Sequence, residues 1–135
     1  MFLCQHAVPL WNHKIMTTDP VFKKLTDRLL EFRDARDWRQ FHSLKNLMLS
    51  LNLEAAELLE LAQWRDDAQT DAAIEDTAFK ARLGEECADV LLYLLLISER
   101  AGIDLAREAD AKITRNGEKY PVEKSRGNSR KYTDL

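Results

Sequence analysis

Four acidic residues lie within two strongly apolar stretches of the chain, at spacings that could support chemistry. Glu54 and Glu57 are three residues apart in one stretch, and Glu86 and Asp89 are three apart in the other. Residues at this spacing lie on the same face of an α-helix, one turn above each other. We therefore expect two ladders of paired carboxylates, which converge if the two helices pack with these faces opposed.

Four converging carboxylates would repel one another in a partly buried space, which raises their pKa values and destabilises the fold. A bound cation removes this conflict. Ligands that are all carboxylate oxygens favour hard Mg2+, with Mn2+ as a substitute, and make zinc a poor fit. A di-iron bundle would need Glu-x-x-His pairs, whereas His6, His13 and His42 lie outside the apolar helical stripes. Because Mg2+ commonly takes further ligands from substrate phosphates, the pattern favours phosphoryl chemistry on a nucleotide.

The apolar periodicity of the chain predicts the helices that must hold these acids. Apolar residues recur at spacings of three and four in four segments, residues 20–36, 44–64, 79–101 and 105–116. Asp19-Pro20 is a typical helix start, and Gly117 is a typical helix stop. Residues 36–43 are expected to form a loop, and residues 66–77 a flexible connection with one short helical turn. The predicted fold class is therefore all-α, a four-helix bundle.

We expect three parts along the chain: an N-terminal extension over residues 1–19, a helical domain over residues 20–117 and a C-terminal tail over residues 118–135. The first fifteen residues have no basic start and no unbroken apolar run, so they do not resemble a signal peptide. The tail lacks helical periodicity and mixes charged residues with Gly, Asn and Ser. Order in the tail is therefore expected to depend on a partner chain or a ligand.

The third predicted helix is apolar on nearly every face between Val90 and Ile97. Such a helix needs neighbours on several sides, and a chain of this size provides few of them. The pattern predicts burial at a subunit interface as well as in the core of the subunit. The same stretch is about half of the ~20 residues that a membrane span needs, so we expect a soluble protein without a membrane partner.

The overall charge restricts the class of ligand. The chain has 135 residues, 23 acidic and 20 basic side chains, and a formal net charge of -3. This length supports one domain with one core. A small negative charge argues against binding polymeric nucleic acid, which usually needs a strongly basic face. The two cysteines, Cys4 and Cys87, form neither a disulfide framework nor a metal motif, so the cytoplasm is the expected compartment.

The pattern Glu54-x-x-Glu57 followed by Glu86-x-x-Asp89 resembles the signature of the MazG-like all-alpha nucleoside triphosphate pyrophosphohydrolases. The flanking sequence segments are similar to those of the dCTP pyrophosphatase branch of that family. The similar segments are Arg36-Asp37-Trp38-x-Gln40-Phe41-His42, Gln63-Trp64, Asp89-Val90-Leu91-x-Tyr93-Leu94 and Ser129-Arg130-Lys131-Tyr132-Thr133-Asp134-Leu135. The similarity covers about residues 22–135.

The resemblance implies a role for each matching residue. The four acids would bind Mg2+. Trp38 and Trp64 would stack against the base, and Tyr93 would line its pocket. Lys112 and Asn116 match family positions that contact phosphates or metal-bound water. The resemblance also implies a homo-oligomer, a dimer or a tetramer formed as a dimer of dimers, with active sites at the dimer interface.

The predicted function is hydrolysis of dCTP, or of a modified dCTP, between its alpha and beta phosphates, in a nucleotide-pool housecleaning role. Glu57 is the predicted acceptor of the proton from the attacking water, while Lys45 and Lys112 would stabilise charge on the leaving diphosphate. One alternative is a noncatalytic bundle that binds nucleotides or scaffolds a partner. Another is a metal-storage or oxidoreductase bundle, which would take up iron and release no diphosphate.

Overall fold

The computed structural model describes residues 18–134. Most of the predicted extension over residues 1–19 therefore lies outside the described residues. The first helix, α1 (Pro20–Asp34), begins where the sequence predicts, because the Asp19 carboxylate accepts hydrogen bonds from the backbone N–H groups of Val21 and Phe22, both at 2.9 Å. It ends two residues before the predicted limit at 36.

The connection after α1 is more ordered than an irregular loop. Trp38–Phe41 form a 3-10 helix, preceded by Asp37 in the left-handed region at a φ of 53°. The Gln40 side-chain amide donates to the Asp37 carbonyl oxygen at 3.0 Å and to its carboxylate at 2.8 Å. These bonds hold the turn that carries Trp38.

The second helix, α2 (Leu44–Glu60), starts at a cap in which the Ser43 hydroxyl accepts from the backbone N–H of Asn46 at 3.2 Å. It ends four residues before the predicted limit at 64, which is a correction. The hydrogen bonds after Glu60 span three residues instead of four, and the Arg65 guanidinium donates to the Leu61 carbonyl. Such bonds tighten the last turn of a helix and stop its propagation. Trp64 consequently lies beyond the end of α2.

The predicted flexible connection over residues 66–77 contains two helical elements, which is a second correction. Helix α3 (Asp67–Ala72) has a capping box, in which Asp66 and Gln69 satisfy each other's backbone N–H groups. A 3-10 helix over Ala73–Glu75 follows. The capping residues are local signals that the polar composition of this segment obscured.

The longest helix, α4 (Thr77–Ala101), makes the most extensive contacts, with α2 and then with α1. It ends at Gly102, whose φ of 66° is a left-handed conformation that glycine adopts at little cost. The buried apolar side chains come from α2, its C-terminal end and α4; they are Leu47, Leu61, Phe79, Leu95 and Leu96. The contact between α2 and α4 therefore forms the core.

Helix α5 (Leu105–Lys119) is fixed at its N-terminus by Asp104, which is only 4% exposed. The Asp104 carboxylate accepts from the backbone N–H of Arg107 at 3.2 Å and from the N–H and hydroxyl of Thr18 at 3.0 and 3.3 Å. The prediction that Gly117 stops this helix is wrong, since the helix continues to Lys119 and Gly117 is not in the left-handed region.

The C-terminal segment forms helix α6 (Val122–Ser125) and a 3-10 helix over Tyr132–Asp134. Tyr120 and Tyr132 meet edge to face at 6.0 Å, and the Lys119 ammonium lies 5.1 Å from the Tyr132 ring. These contacts connect the segment to the end of α5.

All regular structure within residues 18–134 is helical, which confirms the all-α fold class. The arrangement of four helices as a bundle stays a prediction, because the extensive contacts are those of α4 with α2 and α1. None of the helices in this part of the chain is both long and apolar enough to cross a bilayer.

Candidate active site

The contact between α2 and α4 brings three of the predicted metal ligands together. Glu54 and Glu57 lie on α2 and Glu86 lies on α4. Each offers a carboxylate oxygen, and these three oxygens all lie within 4.8 Å of one another. We call these residues the acidic cluster. Glu54 and Glu86 are half-buried, whereas Glu57 is exposed.

Asp89, the fourth predicted ligand, is not part of the group whose oxygens lie within that distance. It follows Glu86 by one turn of α4, and its charge contributes to the raised pKa of Glu54. Its side chain also lines a cavity beside the cluster. Asp89 therefore lies between the acidic cluster and that cavity.

One member of the acidic cluster, Glu54, lies in surroundings that disfavour its charge. Burial raises the pKa of the Glu54 carboxyl, and the negative charges of Glu57, Asp89 and Glu86 raise it further, in that order. Both effects disfavour the ionised form. A cation would reverse them, and the all-oxygen donor set suits a hard divalent ion.

Two cavities lie along α4 at Tyr93, and Trp38 and His42 also line both of them. The inner cavity has a volume of about 240 Å³, and its other lining residues are Leu29, Phe32, Arg33, Asp89, Leu92 and Leu96. The outer cavity has a volume of about 460 Å³, and its other lining residues are Phe41, Asn46, Leu49 and Ser50. The predicted base-binding residues Trp38 and Tyr93 are thus together.

Trp38 is held by its neighbours on α1. Its ring meets Phe32 edge to face, with a centroid distance of 5.8 Å. The Arg36 guanidinium lies 3.6 Å above the Phe32 ring and 5.9 Å from that of Trp38. These contacts leave the Trp38 side chain 44% exposed, with a face available to a ligand.

The other predicted substrate-binding residues lie apart from both cavities. Trp64 is 87% exposed beyond the end of α2. Lys45 is exposed in the first turn of α2, and Lys112 and Asn116 are exposed on α5. None of the four lines the inner or the outer cavity. Within residues 18–134, these four side chains therefore do not share a lined cavity with Trp38 and Tyr93.

Two polar residues line the inner cavity without having been predicted as site residues. Arg33 is only 6% exposed and forms ion pairs with Asp34 and Glu99. His42 has a buried Nδ1 with no hydrogen-bond partner within residues 18–134. Burial lowers the pKa of His42, and the positive charge of Arg33 lowers it further, so the neutral imidazole is favoured. Arg33 follows Leu29 by four residues on α1, which was a signal of its inward position.

Comparison with known proteins identifies the family of the chain. The model of the MazG-like family matches residues 49–135, a range that contains all four predicted metal ligands. The chain belongs to the MazG-like family. This confirms the resemblance that the carboxylate spacing indicated.

The MazG-like chain is also similar to curated proteins over most of its length. It is 41% identical to dCTP pyrophosphatase 1 of Rattus norvegicus over 117 residues, which are 87% of this chain and 69% of the relative. It is 38% identical to dCTP pyrophosphatase 1 of Homo sapiens over 117 residues, again 87% of this chain and 69% of the relative.

Among solved structures, the MazG-like chain resembles the crystal structure of a pyrophosphatase from Archaeoglobus fulgidus. The two share 39% sequence identity and a TM-score of 0.70, over 80% of this chain and 99% of that chain. Pyrophosphatases thus occur in both the sequence and the structure comparison. The MazG-like chain is accordingly a hydrolase of the nucleotide diphosphatase class.

Proposed function

We propose that the protein is a Mg2+-dependent pyrophosphohydrolase that converts dCTP, or a modified dCTP, and water into the monophosphate and diphosphate. The observation that carries the proposal is the acidic cluster, with Asp89 between it and an aromatic-walled cavity. The relatives named dCTP pyrophosphatase 1 support cytosine as the base. We place the reaction in the cytoplasm, where it would remove unwanted nucleotides from the pool.

Glu54, Glu57, Glu86 and Asp89 are the proposed Mg2+ ligands, with Mn2+ as a substitute. Their donor atoms are all oxygens, and the raised pKa of Glu54 reflects its burial and then the like charges of its neighbours, which a cation would neutralise. When bound, Mg2+ supplies charge neutralisation for the phosphates and lowers the pKa of coordinated water.

Glu57 is the proposed general base. It is the exposed member of the acidic cluster, so solvent water can reach its carboxylate. It would accept one proton from the water as the oxygen adds to phosphorus and the bond to the bridging oxygen breaks. Diphosphate then leaves, and Lys45 and Lys112, with Asn116, would stabilise the charge that develops on it.

The base of the nucleotide would lie against the rings of Trp38 and Tyr93 in the inner cavity. Aromatic faces stack favourably on bases of any sequence, and the cavity volume of about 240 Å³ accommodates a pyrimidine. Trp64 is proposed to cover the base from outside the cavity. Its 87% exposure leaves its ring available for such a contact.

The proposed assembly is a homodimer or a dimer of dimers with active sites at the interface. Four large apolar side chains of α2 are 52–69% exposed; they are Met48, Leu49, Leu53 and Leu59. Large exposed apolar side chains are the kind of surface at which soluble proteins associate. A second copy would cover them and could supply the phosphate-binding residues that lie outside the cavities.

A panel of all canonical and methylated deoxynucleoside triphosphates, assayed for diphosphate release with Mg2+, tests the reaction. We expect dCTP or a methylated dCTP to be the best substrate. Glu57→Gln should lower kcat roughly 100-fold or more, the usual contribution of a general base. Glu60→Gln, an exposed position one turn further along α2, should retain wild-type turnover.

Either of two results contradicts the proposal. The first is that no triphosphate in the panel is cleaved, which would favour a noncatalytic nucleotide-binding bundle. The second is that Glu57→Gln turns over as fast as wild type. If Glu57→Gln and Glu60→Gln lower kcat equally, the effect of Glu57→Gln is not specific to the acidic cluster.

A further inference from the structure

Arg33 is an unusual residue in the wall of the inner cavity. Its side chain is charged, yet the residue is 94% removed from solvent and lies beside the apolar side chains of Leu29 and Phe32. Burying a charge is unfavourable unless the group is paired and its donors are satisfied. The pairing of the guanidinium therefore decides whether Arg33 is only structural.

The pairing of Arg33 is incomplete. Its Nε donates to the Asp34 carboxylate at 2.6 Å, whereas its Nη1 is 3.7 Å from the Glu99 carboxylate, beyond hydrogen-bond distance. A guanidinium has five N–H donors in a planar fork. Within residues 18–134, Nη1 and Nη2 make no hydrogen bond. The two nitrogens at the end of the fork thus remain able to donate.

His42 also lines this cavity and carries a buried polar atom without a partner. Its Nδ1 is buried and has no partner among the described residues, although the residue lines both cavities. Buried side-chain nitrogens without partners are rare in folded proteins and call for an explanation. A polar ligand that enters between the rings of Trp38 and Tyr93 would satisfy Arg33, and it would reach His42 Nδ1 only if the imidazole turned towards the cavity.

We propose that Arg33 determines base specificity by donating from Nη1 and Nη2 to O2 and N3 of a cytosine held in the inner cavity. This inference rests on the proposed pyrophosphohydrolase function. The planar fork of arginine matches two adjacent acceptors on a flat ligand, as it does when it reads a base edge. Cytosine offers O2 and N3 as such a pair of adjacent acceptors on one edge.

Uracil and thymine cannot accept both of these hydrogen bonds. Both carry a hydrogen on N3, so a donor would face the donors of the Arg33 guanidinium. Adenine places its 6-amino group beside N1 on one edge and beside N7 on the other, and both pairs oppose a donor fork. Guanine has adjacent acceptors at O6 and N7, and dGTP is therefore the critical competitor in any test.

The test compares kcat/KM for dCTP with that for dUTP, dTTP, dATP and dGTP, from diphosphate release with Mg2+. Wild type should favour dCTP over every other substrate. Arg33→Met keeps the length of the side chain and removes its donors, so the ratio of dCTP to dUTP should fall roughly tenfold or more. A ratio measured on one preparation is independent of how much of the variant is folded.

Glu99→Gln is the matched control, since it removes the ion pair between α1 and α4 and leaves the guanidinium in place. It should leave the dCTP to dUTP ratio unchanged, even if its Tm falls. If Arg33 only stabilises the fold, Arg33→Met and Glu99→Gln will both lower Tm and both keep the wild-type ratio. That result overturns the proposal.

A substrate analogue keeps the proposal testable if Arg33→Met does not fold. 3-Deaza-dCTP replaces N3 by a C–H group, and wild-type kcat/KM for it should be roughly tenfold lower than for dCTP. Equal efficiency with the two substrates overturns the assignment. Absence of cleavage of every triphosphate would instead refute the proposed function itself.

Discussion

Glu54 is the member of the acidic cluster whose pKa is raised, chiefly by burial and then by its acidic neighbours. Below its ordinary value of 4.5, the carboxyl is protonated in both the folded and the unfolded chain and costs no folding free energy. As the pH rises through the raised pKa of the folded state, the ionised form is disfavoured only in the folded chain. The stability of the metal-free protein therefore falls over that range.

We expect Glu54→Gln to raise the Tm of the metal-free protein by a few degrees at pH 8, and by less as the pH is lowered towards 4.5. With Mg2+ added, wild type should have the higher Tm of the two, because the Glu54 carboxylate helps to bind the ion and binding stabilises the folded state. Thermal unfolding in EDTA and in Mg2+ measures both effects. Glu60→Gln should match wild type in each buffer, and lower stability of Glu54→Gln in EDTA at pH 8 would contradict the electrostatic account.

Single residues also show where prediction from the sequence ends. The paired carboxylates were predictable because a spacing of three residues places two side chains on one helical face whatever the rest of the fold. Arg33 and His42 were not predicted as site residues, although both line the inner cavity. An arginine is usually exposed, and only the packing of α4 against α1 buries this one.

Among the helices, α4 has the dominant role, since it packs against both α2 and α1 and carries Glu86, Asp89 and Tyr93. Its start and end were close to the prediction because Asp76 and Gly102 are strong local signals. The early end of α2 was not predicted, because it depends on the turn around Arg65. That difference matters for the site, since it moves Trp64 off the helix.

At the start of α5, Asp104→Ala should lower the free energy of unfolding by about 2 kcal/mol. The substitution removes a helix cap and leaves the Thr18 donors without this acceptor. Asp76→Ala removes the cap of α4, where the carboxylate accepts only from Ala78 N–H among the described contacts. This control substitution should lower the free energy of unfolding by about 1 kcal/mol.

Urea denaturation at one protein concentration measures both variants. If Asp104→Ala costs no more than Asp76→Ala, Asp104 does not connect the segment before α1 to α5 in solution. The comparison isolates the long-range part of the Asp104 interaction, because each substitution removes one capping carboxylate.

At the scale of the whole molecule, the subunit leaves apolar surface uncovered. Leu53 and Leu59 on α2 are 61% and 69% exposed, and Trp64 beyond α2 is 87% exposed. The sequence had instead indicated α4 as the most apolar helix. In the structure, α4 packs against α2 and α1. The surface available for the proposed homo-oligomer therefore includes α2.

Leu53→Asp should shift the protein from a dimer or tetramer to smaller species in analytical ultracentrifugation. A charge placed in an apolar contact is desolvated without a partner, which weakens association. Lys24→Asp, at an exposed polar position of α1, should keep the wild-type assembly. A monomeric wild type at micromolar concentration, or a Leu53→Asp variant with wild-type size, would contradict the proposed interface.

The sequence by itself determined the all-α class, the approximate position of the main helices and the two carboxylate pairs. These features follow from local rules: apolar spacing, capping residues and the helical repeat relate residues that are near one another along the chain. The family also followed from the sequence, because its signature consists of such short spacings.

Only the tertiary structure decided which groups share a site. Glu86 lies beside Glu54 and Glu57 because α4 packs on α2. Arg33 lines the inner cavity because α1 also packs on α4. These contacts join residues that are distant along the chain, so no local spacing specifies them. Burial then changes the chemistry, since it raises the pKa of Glu54 and removes the charged Arg33 side chain from solvent.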